Sequence, residues 1–386
     1  MNVPPLEPVD SAKHVPALDG VRGVAILLVL FFHSSLIIVS DSGPLSQIYV
    51  VVSQACWCGV DLFFVLSGFL ITGILLDTKE SPRYFRNFYV RRILRIFPLY
   101  YAVILWLFLQ NPEFPGQVWY WCYLQNWGPV FGESTPPMVL QPFWSLAIEE
   151  QFYLLWPFAV WVLNRRSLGR FCGFLFLLSL ISRCVARFQG VDVMTVYTVT
   201  LFRLDTLSAG ALIAVWLRNP VLEAYLNRRA LTGLVIVVSG LLAVITVDHG
   251  FYIDGRASQT IGYSLFAAAS ALLIALIVFK SMRSGFLSRL LENRVLRYFG
   301  NRSYAIYIFQ MMVFIPVRKV YLTYWGASGV SPIGSVLAFC ISVLLILFLS
   351  EISWQCYEKQ FLKLKLFFPR EEHQEVAEVV VDSCAD

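Results

Sequence analysis

Two ionisable residues, Arg22 and His33, lie on one hydrophobic stretch near the start of the sequence, between Val21 and Val39. Eleven positions separate them, almost three helical turns, so in a helix both share one face about 16 Å apart along the axis. Ionisable groups in membrane helices are costly and usually face the bundle interior or a water-filled path. The pair therefore indicates a functional site. The alternative is that Arg22 snorkels to the interface and His33 hydrogen-bonds a neighbouring helix.

Two further arginines, Arg92 and Arg95, belong to the segment RRILRIFP. Their spacing of three places both on one face at the cytoplasmic end of the third predicted span, level with Arg22. Guanidinium groups offer forked donors at fixed charge, so the cluster suits a phosphate-bearing ligand. The positive-inside rule alone requires arginines here but not this spacing.

A carboxylate, Glu149, lies inside the fourth predicted span, in QPFWSLAIEEQFYLLWP. Ser145 lies one turn before it and Tyr153 one turn after it, on the same helical face. Glu149 and His33 reach comparable predicted depths, which makes a contact between them plausible. A carboxylate that orients an imidazole is a recurrent catalytic arrangement, and a purely structural hydrogen bond between the helices is its rival.

Arg203 and Asp205, in FRLDTLSAG, lie in the sixth predicted span. An ion pair between them is the favoured interpretation, and contact with a polar substrate is the alternative.

Composition assigns the chain to the membrane class, because 58% of its 386 residues are apolar and only 14% are charged. The sequence predicts an all-α bundle of about ten transmembrane helices. The apolar windows lie near 21–40, 51–76, 93–110, 143–163, 171–188, 196–217, 231–247, 261–279, 303–323 and 333–354. The first 13 residues lack the basic start of a cleaved signal peptide, so the first span is expected to remain as an anchor.

Lysine and arginine cluster in every second loop between these windows. The positive-inside rule then places both termini in the cytoplasm. The net charge of +5 suits an anionic leaflet of the bilayer and gives no reason to expect nucleic acid. The predicted organisation is a short segment at 1–13, a transmembrane domain at 14–358 and a basic, then acidic, cytoplasmic tail at 359–386.

Histidine and cysteine show no metal-ligand spacing, so no metal is expected. The outer loop at 111–141 is rich in tryptophan and tyrosine, which suits either an interfacial belt or stacking on sugar rings.

In these motifs the sequence resembles the membrane-bound acyltransferase 3 family, which acylates sugars of cell-surface and secreted molecules. The resemblance covers nearly the whole chain and rests on LDGVRGVAILLVLFFHSS, GVDLFFVLSGFLI, RRILRIFPLYY, WSLAIEEQFY, FRLDTLSAGALIA and FGNRSYAIYIFQ. It implies transfer of an acyl group, usually acetyl from acetyl-CoA, with His33 as base, Glu149 as a further required residue and Arg22, Arg92 and Arg95 serving the donor. The supporting or acceptor-binding candidates in these motifs are Asp19, Asp61, Ser67, Trp144, Ser145, Tyr153, Arg203 and Asp205.

The resemblance fits the predicted depths, because coenzyme A is a cytoplasmic polyanion whose phosphates suit the arginines while its thin arm reaches towards His33. His33 then either activates a sugar hydroxyl or carries the acyl group itself. Acyl-CoA is expected as a substrate, with no tightly bound cofactor.

A carbohydrate or glycolipid is the expected acceptor, and a bacterial inner membrane is the expected location. Many relatives carry an additional hydrolase-like domain after the tenth helix, and this sequence stops at residue 386. It is therefore expected to complete the transfer itself, the alternative being a separate partner. The competing function is a proton-coupled transporter of a polar solute, which uses the same buried residue types.

Overall fold

The fold is a bundle of helices, seen in a computed structural model that describes residues 15–38, 43–112, 116–132, 137–279, 286–325 and 332–369. These ranges contain no strand, in agreement with the predicted all-α class. The helices are α1 (Pro16–His33), α2 (Pro44–Ala55), α3 (Gly59–Asp77), α4 (Tyr84–Gln110), α5 (Gln117–Trp121), α6 (Trp144–Val162), α7 (Arg165–Phe188), α8 (Val193–Thr198), α9 (Leu204–Trp216), α10 (Pro220–Val247), α11 (Tyr263–Val278), α12 (Phe286–Leu291), α13 (Arg294–Trp325), α14 (Pro332–Ser353) and α15 (Lys359–Lys363). Short 3₁₀ or π turns join several of them, at Ser34–Leu36, Cys56–Cys58, Gln125–Phe131, Met138–Phe143, Thr200–Arg203, Ser258–Gly262, Trp354–Glu358 and Leu364–Phe367.

Local sequence signals start several of the long helices. Pro16 and Pro220 occupy first-turn positions, where the missing N–H costs nothing. Asn219 caps α10 by accepting from two backbone amides of its first turn, and Asn164 caps α7 by accepting from the backbone N–H of Ser167. Helices α1, α7 and α10 therefore begin where the sequence offers a cap or a proline.

Eight helical runs among the described residues are long and apolar enough to cross a membrane. They are Pro16–Leu36, Pro44–Asp77, Tyr84–Gln110, Arg165–Phe188, Pro220–Val247, Ser258–Val278, Arg294–Tyr324 and Pro332–Phe367. The two remaining predicted spans correspond to α6, which carries two adjacent glutamates, and to α9, which has only 13 residues. The count of ten and the cytoplasmic placement of the termini therefore stay predictions.

Several basic connecting segments contact neighbouring parts of the chain at one end of the bundle. This end, where α1 begins and Arg22 lies, is called the arginine end. Lys79 donates to the carbonyl of Leu163, and Arg218 forms an ion pair with Asp77 at 2.6 Å. At the same end, the stretch 365–369 packs on the start of α4, where Arg91 donates to the carbonyls of Lys365 and Phe368. This part of the predicted tail is thus bound to the bundle, while 370–386 lies outside the described residues.

Two parallel helix pairs bring the polar motifs together. In the first, α1 packs on α13 so closely that a Cβ at Gly23 would collide with the backbone of Leu296, and one at Gly300 with the backbone of Asp19. In the second, α3 packs on α9, where Gly68 meets the backbone of Leu207 in the same way. Small residues at such contacts let helix axes approach, which is how membrane helices gain packing energy without a hydrophobic driving force between them.

Candidate functional site

The three arginines singled out from the sequence come together near the arginine end. Arg22 lies within electrostatic range of Arg95, and Arg92 lies within range of both. The guanidinium of Arg92 stands 5.2 Å from the ring centroid of Tyr153 on α6, a cation–π contact. Arg22 also donates to Asp19, one turn earlier on α1, at 3.0 Å. The convergence expected from the helical spacing is therefore present.

Glu149 lies at this same level of the bundle. Its carboxylate accepts a hydrogen bond of 2.6 Å from the hydroxyl of Ser67 on α3, and that hydroxyl accepts one of 3.0 Å from Tyr153. Arg22 and Arg92 both lie within electrostatic range of Glu149. Four helices, α1, α3, α4 and α6, thus contribute to one cluster of cations, carboxylates and hydroxyls.

The cluster is deep in the bundle but is not sealed. Arg22, Arg92, Ser67 and Glu149 are surrounded by neighbouring helices, and each nevertheless keeps part of its surface accessible. His33, three turns along α1, is likewise only partly buried. We call the region formed by these partly accessible groups the accessible cleft. Polar groups that are both internal and accessible are expected where a polar ligand enters a membrane protein.

His33 is the last residue of α1, and its partner comes from α13. Its Nδ1 atom lies 3.1 Å from Oε1 of Gln310, and Phe32 packs edge-on against the imidazole. The predicted contact between His33 and Glu149 is wrong, because each side chain has a different hydrogen-bond partner. The sequence places Glu149 by its distance from the start of α6, whereas the turn Met138–Phe143 that precedes α6 already buries Leu140, Pro142 and Phe143 in the bundle.

The predicted ion pair between Arg203 and Asp205 is also wrong. Arg203 pairs with Asp61 of α3, and Asp205 pairs with Arg183 of α7 at 2.7 Å. All four side chains are fully buried. Two residues apart on a helix, Arg203 and Asp205 point in different directions and are satisfied by different neighbours.

Both buried pairs are embedded in further contacts. Asp205 also accepts hydrogen bonds from Ser179 and Ser264, while Arg183 donates to the carbonyls of Gln259 and Phe202. The guanidinium of Arg203 is ringed by aromatic side chains at centroid distances of 4.5 to 6.0 Å. These are Trp57, Phe64, Trp144, Tyr197 and Tyr263. Asp61, Trp144, Arg203 and Asp205 therefore lie in a closed network, away from the accessible cleft.

Ser145 has a local role at the start of α6. Its hydroxyl lies 2.6 Å from that of Tyr307 on α13, and both hydroxyl oxygens lie within hydrogen-bond distance of the carbonyl of Pro142. One hydroxyl can donate to the other while the second donates to this carbonyl. Ser145 thus links α13 to the turn that precedes α6.

The aromatic loop packs largely against the bundle. Tyr123 stacks on Tyr100 of α4 with centroids 4.1 Å apart, and both it and Tyr120 are buried. Trp121 stacks on Tyr101 at 5.7 Å but remains exposed. Most of the expected sugar-stacking rings are consequently occupied by protein neighbours.

Sequence reasoning missed Gln310 as the partner of His33 and Arg183 as the partner of Asp205. Gln310 lies within an apolar window, in FGNRSYAIYIFQ, and an uncharged amide was not counted as an ionisable outlier. Arg183 lies within the apolar window at 171–188, outside the motifs that the sequence analysis singles out. A scan for every polar residue inside an apolar window would have found both.

The geometry fits what comparison with protein families finds. The model of the acyltransferase domain of the acyltransferase 3 family matches residues 15–351. The chain belongs to this family. Peptidoglycan O-acetyltransferase OatA of Listeria monocytogenes is 31% identical over 77% of this chain and 49% of its own length. O-acetyltransferase OatA of Staphylococcus aureus (strain MRSA252) is 28% identical over 97% of this chain and 62% of its own, and putative peptidoglycan O-acetyltransferase YrhL of Bacillus subtilis is 30% identical over 80% and 50%.

This acyltransferase chain spans about half to three-fifths of the length of these curated relatives. No solved structure matches it.

Proposed function

We propose that this protein is a membrane-bound O-acetyltransferase that moves an acetyl group from acetyl-CoA, bound at the arginine cluster from the cytoplasmic side, to a hydroxyl of a cell-wall carbohydrate. The observation that carries the proposal is the accessible cleft itself. It has Arg22, Arg92 and Arg95 at one end and His33 at the other, about 16 Å away along α1.

The arginine end has the chemistry that coenzyme A requires. Its phosphates carry several negative charges, and guanidinium groups bind phosphate through paired, charge-assisted hydrogen bonds. Asp19 and Glu149 offset part of the positive charge and hold the guanidinium groups in place when no donor is bound. The thin arm of the donor then extends along α1, which carries the thioester towards His33.

The reacting end needs a group that removes a proton from an alcohol, and a neutral imidazole does this near neutral pH. In the proposed step, the acceptor O–H proton passes to the imidazole as the oxygen bonds to the thioester carbonyl carbon. The carbon–sulfur bond then breaks and the imidazolium returns the proton to the thiolate of coenzyme A. If His33 carries the acetyl group first, the same ring nitrogen attacks the thioester and coenzyme A leaves as its thiolate. The acceptor alcohol then attacks the acetyl carbon, the carbon–nitrogen bond breaks, and the alcohol proton passes to the thiolate.

The acceptor is assigned on the names of the relatives, two of which are described as peptidoglycan O-acetyltransferases, one of them putatively. A cavity of about 340 Å³ lies beyond His33, at the end of α1 away from the arginines. It is lined by Leu36, Met138, Ile315, Arg318, Lys319, Leu322 and Thr323. We propose that the glycan approaches His33 from this end, opposite to the donor.

The test uses the purified full chain in lipid nanodiscs, with acetyl-CoA labelled in its acetyl group and soluble peptidoglycan fragments as acceptor. Release of coenzyme A together with a glycan heavier by one acetyl group is the expected result. Acetyl-CoA binding without any transfer to a glycan hydroxyl, under conditions where the wall of the source cell is O-acetylated, would contradict the proposal.

Sidedness is tested separately, by reporter fusions and cysteine labelling in whole cells. Both termini and the basic connections at 77–92 and 280–297 are expected in the cytoplasm. An external carboxyl terminus would place the arginine cluster on the wrong side for a cytoplasmic donor.

A further inference from the structure

Gln310 is the polar neighbour that α13 presents to His33. Its side chain is fully buried, and its Oε1 atom lies 3.1 Å from Nδ1 of the imidazole. The two residues are 277 positions apart in the sequence. Their meeting therefore depends entirely on how α1 packs against α13.

That packing leaves little freedom. Gly23 and Gly300 bring the two backbones into direct contact over the first turns of both helices, and no side chain larger than hydrogen fits there. Gly20 meets the backbone of Leu291, at the end of α12, in the same way. Because α1 and α13 run parallel, this contact also fixes the relative height of His33 and Gln310 further along. The hydrogen bond between them is thus held by the scaffold rather than by a mobile loop.

The direction of this hydrogen bond follows from what its atoms can do. A carbonyl oxygen such as Oε1 only accepts, so Nδ1 must carry the proton. The backbone carbonyl of Val29, one turn earlier on α1, also lies within hydrogen-bonding reach of the imidazole, and it too only accepts. A neutral imidazole with its proton on Nδ1 has its lone pair on Nε2.

We propose that Gln310 is the positioning residue of His33: it accepts the Nδ1 proton and so fixes the ring orientation and the tautomer in which Nε2 is the base. This inference rests on the proposed acetyl transfer and assigns a role that the motif residues alone do not. The arrangement parallels the way a hydrogen bond at one ring nitrogen generally sets which nitrogen of a histidine reacts.

The other end of the Gln310 amide supports a role beyond helix packing. Its Nε2 is buried and has no hydrogen-bond partner among the described residues. An unmet buried donor is costly, so a glutamine kept only to join α1 to α13 would be expected to pair both ends. An acetyl group bound against the imidazole would supply the missing acceptor once it displaces the groups that cover this N–H, which would then stabilise the negative charge that develops during attack.

Three variants of the full-length protein in nanodiscs separate these roles. Gln310→Met keeps the length of the side chain but removes both polar atoms. Gln310→Glu keeps an acceptor oxygen for Nδ1 and loses the amide donor. Ser342→Ala, on α14, is the matched control, because it removes a buried hydroxyl that bonds only to the carbonyl of Ala338 within its own helix.

If Gln310 positions His33, Gln310→Met lowers kcat about 100-fold or more, while the KM for acetyl-CoA changes by less than about threefold. Gln310→Glu recovers at least tenfold over Gln310→Met but stays below the wild type, and Ser342→Ala stays near it. The inference is overturned if Gln310→Met retains wild-type kcat, if Gln310→Glu is no better than Gln310→Met, or if the loss appears only in KM. Turnover by the wild type in the same assay tests the proposed acetyl transfer independently. A failure of the proposed function can therefore be distinguished from a failure of the role assigned to Gln310. Thermal stability and acetyl-CoA binding of each preparation identify any variant that has not folded.

Discussion

Two polar regions inside the helical bundle of this protein contain the same residue types but differ in the exposure of their side chains. In the accessible cleft, Arg22, Arg92 and Glu149 keep part of their surface open, and so does His33. In the closed network, Arg183 and Arg203 are completely buried with carboxylate partners. The difference is one of access: both ion pairs of the network are sealed from solvent, whereas the groups of the cleft keep surface that a ligand can reach.

The accessibility of a charged side chain distinguishes a structural role from a functional one more reliably than its residue type does. A buried ion pair that is fully hydrogen-bonded holds helices in register but offers nothing to a substrate. Arg183 joins α7 and α9 and also donates to carbonyls of the turn before α11, so it fixes three elements at once. The cleft instead lies where α1, α3, α4 and α6 meet, and its arginines keep part of their surface accessible although the carboxylates of Asp19, Glu149 and Glu150 lie near them.

The largest expected difference between the two regions is the loss of activity when the imidazole is removed from the cleft. His33→Ala is expected to lower the chemical step by about 10²- to 10⁴-fold, the usual cost of losing a general base. Binding of acetyl-CoA and thermal stability should be nearly unchanged, since His33 lies three turns from the arginines. Single-turnover kinetics and equilibrium binding on one preparation measure both. Substantial turnover without the imidazole would remove His33 from the mechanism.

Substitutions in the closed network should lower the stability of the protein rather than the rate of the reaction. Arg183→Met leaves Asp205 buried without its cation and is expected to cost about 3 to 5 kcal/mol of stability. Replacing both partners, with Arg183→Met and Asp205→Leu together, should recover part of that loss because no uncompensated charge remains. Thermal unfolding in detergent gives the ranking, and activity per folded molecule should stay close to the wild type. Loss of activity at unchanged stability would place this network in the active site after all.

A finer contrast lies between neighbouring arginines on α4. Arg92→Ala should weaken acetyl-CoA binding by about 1 to 3 kcal/mol, the scale of a charge-assisted contact, and less so at high salt. Arg92→Lys should restore only part of the lost affinity, because an ammonium group lacks the planar, paired N–H donors of a guanidinium. Arg91→Ala is the matched control, since Arg91 is engaged with carbonyls of Lys365 and Phe368. Calorimetry with acetyl-CoA tests this, and equal effects at both positions would indicate nonspecific attraction.

The smallest effect is expected where an ion pair reaches solvent. Arg218 and Asp77 form a two-pronged pair at the arginine end, and both side chains are partly exposed. Asp77→Asn should therefore cost only about 0.2 to 1 kcal/mol, in contrast to the buried pair of Arg183. Thermal unfolding at low and high salt tests it; a cost as large as that of Arg183→Met would mean that exposure does not set the value of these pairs.

What the sequence determined by itself is the class of the protein and the level of its main charges. Apolar windows and low charge require a helical membrane bundle, because lipid satisfies no backbone group. The helical repeat places Arg92 and Arg95 on one face of α4, and the packing of the helices brings that face close to Arg22. These conclusions depend on spacing within a single helix, which the sequence specifies directly.

Partners were decided only by tertiary packing. His33 meets Gln310, Asp61 meets Arg203 and Arg183 meets Asp205, and in each case the two residues belong to different elements that the order of the chain does not bring together. The glycines that let α1 touch α13 and α3 touch α9 set the heights at which side chains face each other. A buried turn ahead of α6 shifted Glu149 away from His33 to the arginine level. Periodicity gives the face of a helix, but the neighbour on that face and its depth follow from packing, because only contact between helices selects among the polar groups that each could reach.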